Sequence, residues 1–205
     1  NFSSAHNDRL AEAVRVLEEF RREIFLEKTD SSSGVFQWTP PVFPENPSKS
    51  IKEPSLPTDY TVIGVDGSNI DVNRHIPVDC FLINTGTARL RYGDVPEAHL
   101  SSDPQLFVPP DQTVLSDPDN PHKFLQIQGT ILGAIRSVKE METLAAALKN
   151  SKPDSVEDIP FVGLIDGTLL LLDLLRPGIP DFVIDAVLVE GFIRALDDIK
   201  LAAQE

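Results

Sequence analysis

Between residues 4 and 28, apolar side chains recur at three- and four-residue steps: Leu10, Val14, Leu17 and Ile24, with Glu and Arg between them. This spacing predicts one amphipathic helix whose stripe needs a partner, either the body of the protein or a second subunit. The pattern breaks in residues 29–59, which contain SSSG, TPPVFPENP and EPSLP. Proline supplies no ladder donor, so an extended, surface-tracking linker is expected here. From Tyr60 onward short apolar runs return. TVIGVD predicts a strand that stops at Asp66-Gly67. DCFLINTG and TARLRYG predict a second and third strand, with Gly86 placed to make a hairpin between them. Residues 94–122, rich in Pro, Asp and Ser, read as a long irregular loop. A helix is expected over residues 124–149, a connector at NSKPDSVEDIP, a strand at FVGLID, and a last helix over 181–203 with Asp181 as its N-cap.

The predicted order is strand, strand, strand, helix, strand, helix. Three consecutive strands favour an antiparallel meander, and a strand reached through a helical crossover favours parallel pairing with the first. The expected fold class is therefore α/β: a mixed sheet with flanking helices in residues 60–205, behind an N-terminal helical arm (1–28) that serves docking or dimerisation and a Pro-rich linker (29–59).

That topology changes the meaning of two similar stretches, VIGVDGSN at 62–69 and VGLIDGTL at 162–169. A lone Asp-Gly is most simply a turn. If the first and fourth strands are neighbours, however, Asp66 and Asp166 arrive side by side at one rim of the sheet. Two adjacent carboxylates repel unless a cation lies between them. Hard divalent ions such as Mn²⁺ or Mg²⁺ take such oxygen ligands and leave positions open for water and phosphate. Two of them can polarise a phosphodiester and activate water for in-line attack. A third acidic ligand is expected on the intervening helix, where Glu140 and Glu142 compete. At about 100° per residue, Ile131, Ile135, Val138, Met141, Ala145 and Leu148 define one apolar face. Glu142 falls within that face and Glu140 projects to the opposite, solvent side, so Glu142 is selected. The plain rival for Glu142 is a salt bridge to a core Arg or Lys. Substrate-contact candidates are Ser68, which could equally cap the next element, Arg74 and His75 after the first Asp-Gly, and Arg91. Arg91 shares a strand face with Arg89 and adjoins Tyr92.

Composition narrows the setting. The 205 residues carry a formal net charge of −14 and are 41% hydrophobic, enough for one sizeable core. The acidic total argues against a surface coated for nucleic acid, though not against a local basic groove. One cysteine, Cys80, leaves no internal disulfide framework and fits a reducing, cytoplasmic compartment. No apolar run approaches the length of a membrane span. His99 and His122 lack ligand spacing to one another, so a zinc site is not expected.

The residues VDGS at 65–68, RHIPVDCFLINTG at 74–86, RLRYG at 89–93, the helix carrying Glu142 and LIDGTL at 164–169 together resemble the NurA nuclease domain, from about Thr61 to the chain end. The resemblance implies an RNase H-like fold and a manganese-dependent deoxyribonuclease that trims DNA from the 5′ end and cuts single strands. It also implies a toroidal homodimer working with the hexameric DNA translocase HerA, in end resection during DNA repair or in phage defence. Carried over by motif, Asp66 and Asp166 match the family's metal aspartates and Glu142 its helix glutamate. Members of that family continue with another strand and helix that bring a tyrosine and a histidine near the metals, and the sequence here ends before such elements. Two rivals follow. One is an inactive RNase H-fold adaptor that docks a motor ATPase. The other is an ATP-binding enzyme of the actin-like kinase group, which would need a second repeat with its own Asp-Gly turn.

Overall fold

The computed structural model describes residues 2–31, 44–71, 80–151 and 159–204. The chain divides into two compact units, Asn1–Ser55 and Leu56–Glu205.

The first unit holds two helices, α1 (Phe2–Glu18) and α2 (Arg22–Ser31), where the periodicity predicts one. The stripe is continuous in sequence, but the backbone tightens after Leu17. Phe20 N donates to Leu17 O at 3.4 Å, a three-residue closure typical of a helix end. The rings of Phe20 and Phe25 meet across the break with centroids 5.8 Å apart. Leu10, Val14, Leu17 and Ile24 are all exposed.

The second unit is built on a four-stranded mixed sheet. Strands β1 (Tyr60–Ile70), β2 (Phe81–Tyr92) and β3 (Glu97–Phe107) form an antiparallel meander, and β6 (Phe161–Ile165) lies parallel to β1, giving the order β3-β2-β1-β6. A small ladder of β4 (Val114–Ser116) and β5 (Phe124–Gln126) precedes helix α3 (Gly129–Asn150). After β6 come a 3-10 turn (Leu172–Leu175), α4 (Asp181–Ile184), a π-helical stretch (Asp185–Ile193) and α5 (Arg194–Gln204). Asp181 is the first residue of α4, and the N-cap position belongs to Pro180.

The meander and the parallel fourth strand match the expected topology, but the strand boundaries do not. DCFLINTG and TARLRYG are one strand, not two. Gly86 sits in regular pairing between Asp66 and Ser102, and the reversal falls at Gly93, whose φ of +128° is open to glycine and strained for other residues. The third strand is β3, drawn from a segment expected to be loop. Its sequence, EAHLSSDPQLF, shows no apolar alternation because the strand lies at the sheet edge and is exposed on both faces except at Phe107. Pro104 is tolerated there, since an edge strand can leave one side of its ladder unpaired. Phe107 stacks on Phe81, ring centroids 4.7 Å apart, and anchors the strand's end. β1 also runs past Asp66-Gly67 to Ile70, paired with β2 throughout.

Alternation along β1 turns Thr61, Ile63, Val65 and Gly67 inward, where they are buried. Helix α3 covers this inner face and is itself covered by the C-terminal helices, so it is buried on two sides. Toward the sheet, Leu144 and Leu148 pack so closely on Gly163 that a Cβ there would lie 3.2 and 3.3 Å from their methyls. Away from it, Val138 packs as closely on Gly191. The core runs through Ile63, Leu144 and Leu148 on one side and Leu132, Val183 and Phe192 on the other. Among the described residues, no helix is long and apolar enough to cross a membrane.

Candidate active site

The parallel pairing of β1 with β6 sets Val65 opposite Ile165. The next residue in each segment is an aspartate, Asp66 within β1 and Asp166 just past the end of β6, so the two stand at the same level of the sheet. Both line one open groove of about 650 Å³, together with Ser68. Ser68 is two positions beyond Asp66 and therefore on the same strand face. The groove floor is nearly free of side chains, formed by Gly64, Gly86 and Ala88, with Leu100 and Leu164 as its walls.

The third carboxylate is Glu140, only 5% exposed. It rises from α3 against Gly67, so closely that a Cβ at Gly67 would collide with the Glu140 carboxylate and lie 2.8 Å from its Cγ. Gly67 does not have a positive φ. It is glycine because another group needs its space. The Gly67 N–H donates to Asp66 Oδ1 at 2.9 Å, and the same amide lies close enough to the Glu140 carboxylate to favour its charged form.

Burial pushes the Glu140 pKa above the usual glutamate range. Arg136 opposes that rise, while the negative charges of Asp66 and Asp166 add to it. The charges of Asp66 on β1 and of Asp166 at the end of β6 therefore both reach Glu140 on α3. Arg136, one helical turn before Glu140, is the cation among them. Its Nε lies 3.4 Å from Glu140 Oε1 and its Nη1 donates to Gly67 O at 3.1 Å. Sequence reasoning missed Arg136. The available signal was the Arg-x-x-x-Glu spacing, which places the two side chains on one helix face.

Glu142, chosen from the periodicity, is not the buried acid. It is exposed, and its carboxylate pairs with Lys139 Nζ at 2.7 Å. The helical wheel failed because it assumed one buried face. Val138 packs against Gly191 of the C-terminal helices, Ile131 and Ala145 share its helix face by period, and Glu142 sits at the edge of that stripe. The sheet-facing side is a second buried face, marked by Glu140, Leu144 and Leu148.

Of the substrate-contact candidates among the described residues, only Ser68 is placed beside the carboxylates. Arg91 pairs in register with Thr61, five positions along β1 from Asp66, and its Nη2 lies 3.7 Å from Asp59 Oδ1. It belongs to the opposite end of the sheet. Arg74 and His75 lie outside the described residues.

Among the described residues, no three His, Cys, Asp or Glu side chains are already drawn together tightly enough to enclose an ion. The donor set is nonetheless of the right chemistry for a hard divalent cation. It offers carboxylate oxygens only, on three separate elements, one of them held in a buried position that is costly for an unpaired charge. Asp66 and Asp166 are exposed. No family model, no curated protein and no solved structure matches this chain.

Proposed function

We propose that this chain is a metal-dependent deoxyribonuclease with an RNase H-like fold. The reading is carried by one observation: buried Glu140 stands at Gly67, where the charges of Asp66 and Asp166 both reach it. Asp66, Glu140 and Asp166 would hold Mn²⁺ or Mg²⁺, two ions in all. When bound, such ions supply Lewis acidity at the scissile phosphate and lower the pKa of water.

The chain's own residues do the rest. The Gly67 N–H fixes the Asp66 carboxylate and orients it relative to Glu140. Arg136 holds Glu140 in place and balances its charge until a cation arrives. The nearly bare floor at Gly64, Gly86 and Ala88 lets a strand approach the carboxylates closely. Ser68 stands within the groove to receive a phosphate oxygen.

The likeness of residues 61–205 to the NurA domain supports the same reading. It adds DNA as substrate, 5′ to 3′ trimming with single-strand cutting, a homodimer, and a HerA-type hexameric translocase as partner in end resection or phage defence. With a net charge of −14, a strand delivered by a translocase needs less phosphate binding from this chain itself.

The second reading is an inactive adaptor of the same fold that docks a motor ATPase. It is favoured by the looseness of the acidic cluster. A Mn²⁺-dependent cleavage assay on single-stranded and duplex DNA separates the two. The nuclease reading expects cleavage by the parent protein, at least about 10³-fold loss in Asp66→Asn and Glu140→Gln, and near-parental rates in Glu142→Gln. Absence of any metal-dependent cutting in the parent supports the adaptor.

A further inference from the structure

On the other side of the Asp166–Thr168 turn lies a second groove, of about 490 Å³, between the first half of α3 and the segment that follows β6. This volume suits a nucleotide. Its polar lining comes from Arg136, Ser137, Thr130 and Thr168, and Leu170 and Leu172 form an apolar wall. Asp173 also lines it, but that carboxylate is paired with Arg176. In a chain of net charge −14, a pocket whose one acid is neutralised and whose guanidinium stands among hydroxyl groups favours an anion.

Several donors there are uncommitted. Arg136 spends Nη1 on the Gly67 carbonyl and turns its buried Nε toward Glu140 Oε1, 3.4 Å away, which leaves Nη2 for the groove. The guanidinium carries five N–H groups in all. Among the described residues, the hydroxyls of Thr130 and Ser137 bond to no other group. Gly133 supplies a separate sign. It sits in the interior of α3, where glycine costs about 1 kcal/mol relative to alanine. Yet a Cβ there would meet nothing within 4 Å. No protein neighbour requires that glycine, so the space it leaves is groove.

We propose that this groove binds the terminal phosphate of a DNA strand, with the sugar and base of that nucleotide on the leucine wall. The inference rests on the nuclease reading for its choice of DNA as the anion's carrier. Asp166, in the carboxylate groove, and Thr168, in the phosphate groove, are two residues apart, a span of at most about 7 Å. Neighbouring phosphates of one strand then rest one in each groove. The strand is held by its end, and the next phosphodiester lies over Asp66 and Asp166, with Glu140 behind them at Gly67. Arg136 lines the phosphate groove and holds the carbonyl of Gly67, which lines the carboxylate groove, so occupancy of the end site and the order of the carboxylates are linked through one side chain.

The test is binding without metal. Fluorescence anisotropy in EDTA compares short single-stranded oligodeoxynucleotides ending in 5′-phosphate, 3′-phosphate or hydroxyl, with inorganic phosphate as competitor. The parent protein is expected to bind one phosphorylated end at least fivefold more tightly than the hydroxyl end. Arg136→Ala should abolish that difference and Arg136→Lys retain part of it. Ser137→Val should reduce it. Gly133→Leu should fill the groove and abolish the difference while the melting temperature holds or rises, which separates blockade from misfolding. Competition by free phosphate at the same concentration for phosphorylated and hydroxyl ends would place the anion outside this groove and overturn the proposal. So would equal affinity for all three ends in the parent protein, or a preference that survives Gly133→Leu. Cleavage in Mn²⁺ without an end preference defeats this inference and leaves the nuclease reading intact. An end preference in a protein that never cuts supports this inference and defeats the nuclease reading.

Discussion

The two Asp-Gly pairs look interchangeable in sequence and are built differently. Asp66-Gly67 lies inside a strand that continues to Ile70, and Gly67 is buried beneath the side chain of Glu140. Asp166-Gly167 follows the last residue of β6, is exposed, and turns the chain with a φ of +102° at Gly167. In the first pair glycine is needed for space. In the second it is needed for conformation, since side-chain-bearing residues rarely adopt that backbone. The lesson is that one dipeptide can meet two different physical demands and still deliver its carboxylate to the same groove.

The strongest test of that equivalence is removal of each carboxylate. Asp66→Asn and Asp166→Asn should both abolish Mn²⁺-dependent DNA cleavage, by at least about 10³-fold. Loss at one position only would break the pairing. The glycines should then separate by kind of defect. Gly67→Ala displaces the Glu140 carboxylate and should lower kcat by roughly 10- to 100-fold, because a misplacement near 1 Å costs about that much. Its melting temperature should move little, provided the glutamate swings aside. Gly167→Ala should do the reverse: a cost of about 1–2 kcal/mol in denaturant unfolding, from a residue forced to positive φ, with activity that follows the folded fraction.

The smallest effect concerns pH. Burial raises the Glu140 pKa, so the folded state holds that proton to higher pH than the unfolded chain does. The associated stability is fully present below the ordinary glutamate pKa and is lost as pH rises through the raised one. Glu140→Gln keeps the shape and removes the charge. It should therefore melt higher than the parent near neutral pH, by a margin that shrinks as the pH is lowered into the acid range. A gap that widens with acid would mean that Arg136, not burial, dominates the environment of Glu140.

Much of the scaffold was legible along the chain. Short apolar runs marked β1, β6 and, as two strands instead of one, β2; the three-and-four periodicity marked α3, and the helical crossover implied that β6 runs parallel to β1. That implication brings Asp66 and Asp166 together before any coordinates are seen. The edge strand β3 was hidden because a strand exposed on both faces has no reason to alternate, and its Pro104 reads as loop.

The helix acid was hidden for a different reason. Periodicity reports how apolar a face is, not how many faces are covered. Sandwiched between sheet and C-terminal helices, α3 buries two faces, and the glutamate that matters lies on the face its stripe did not advertise. Local sequence determined which segments are strand and helix, because backbone propensity and side-chain period act over a few residues. Only the tertiary packing decided that Glu140 rather than Glu142 is desolvated beside Gly67, because desolvation depends on what lies across the interface.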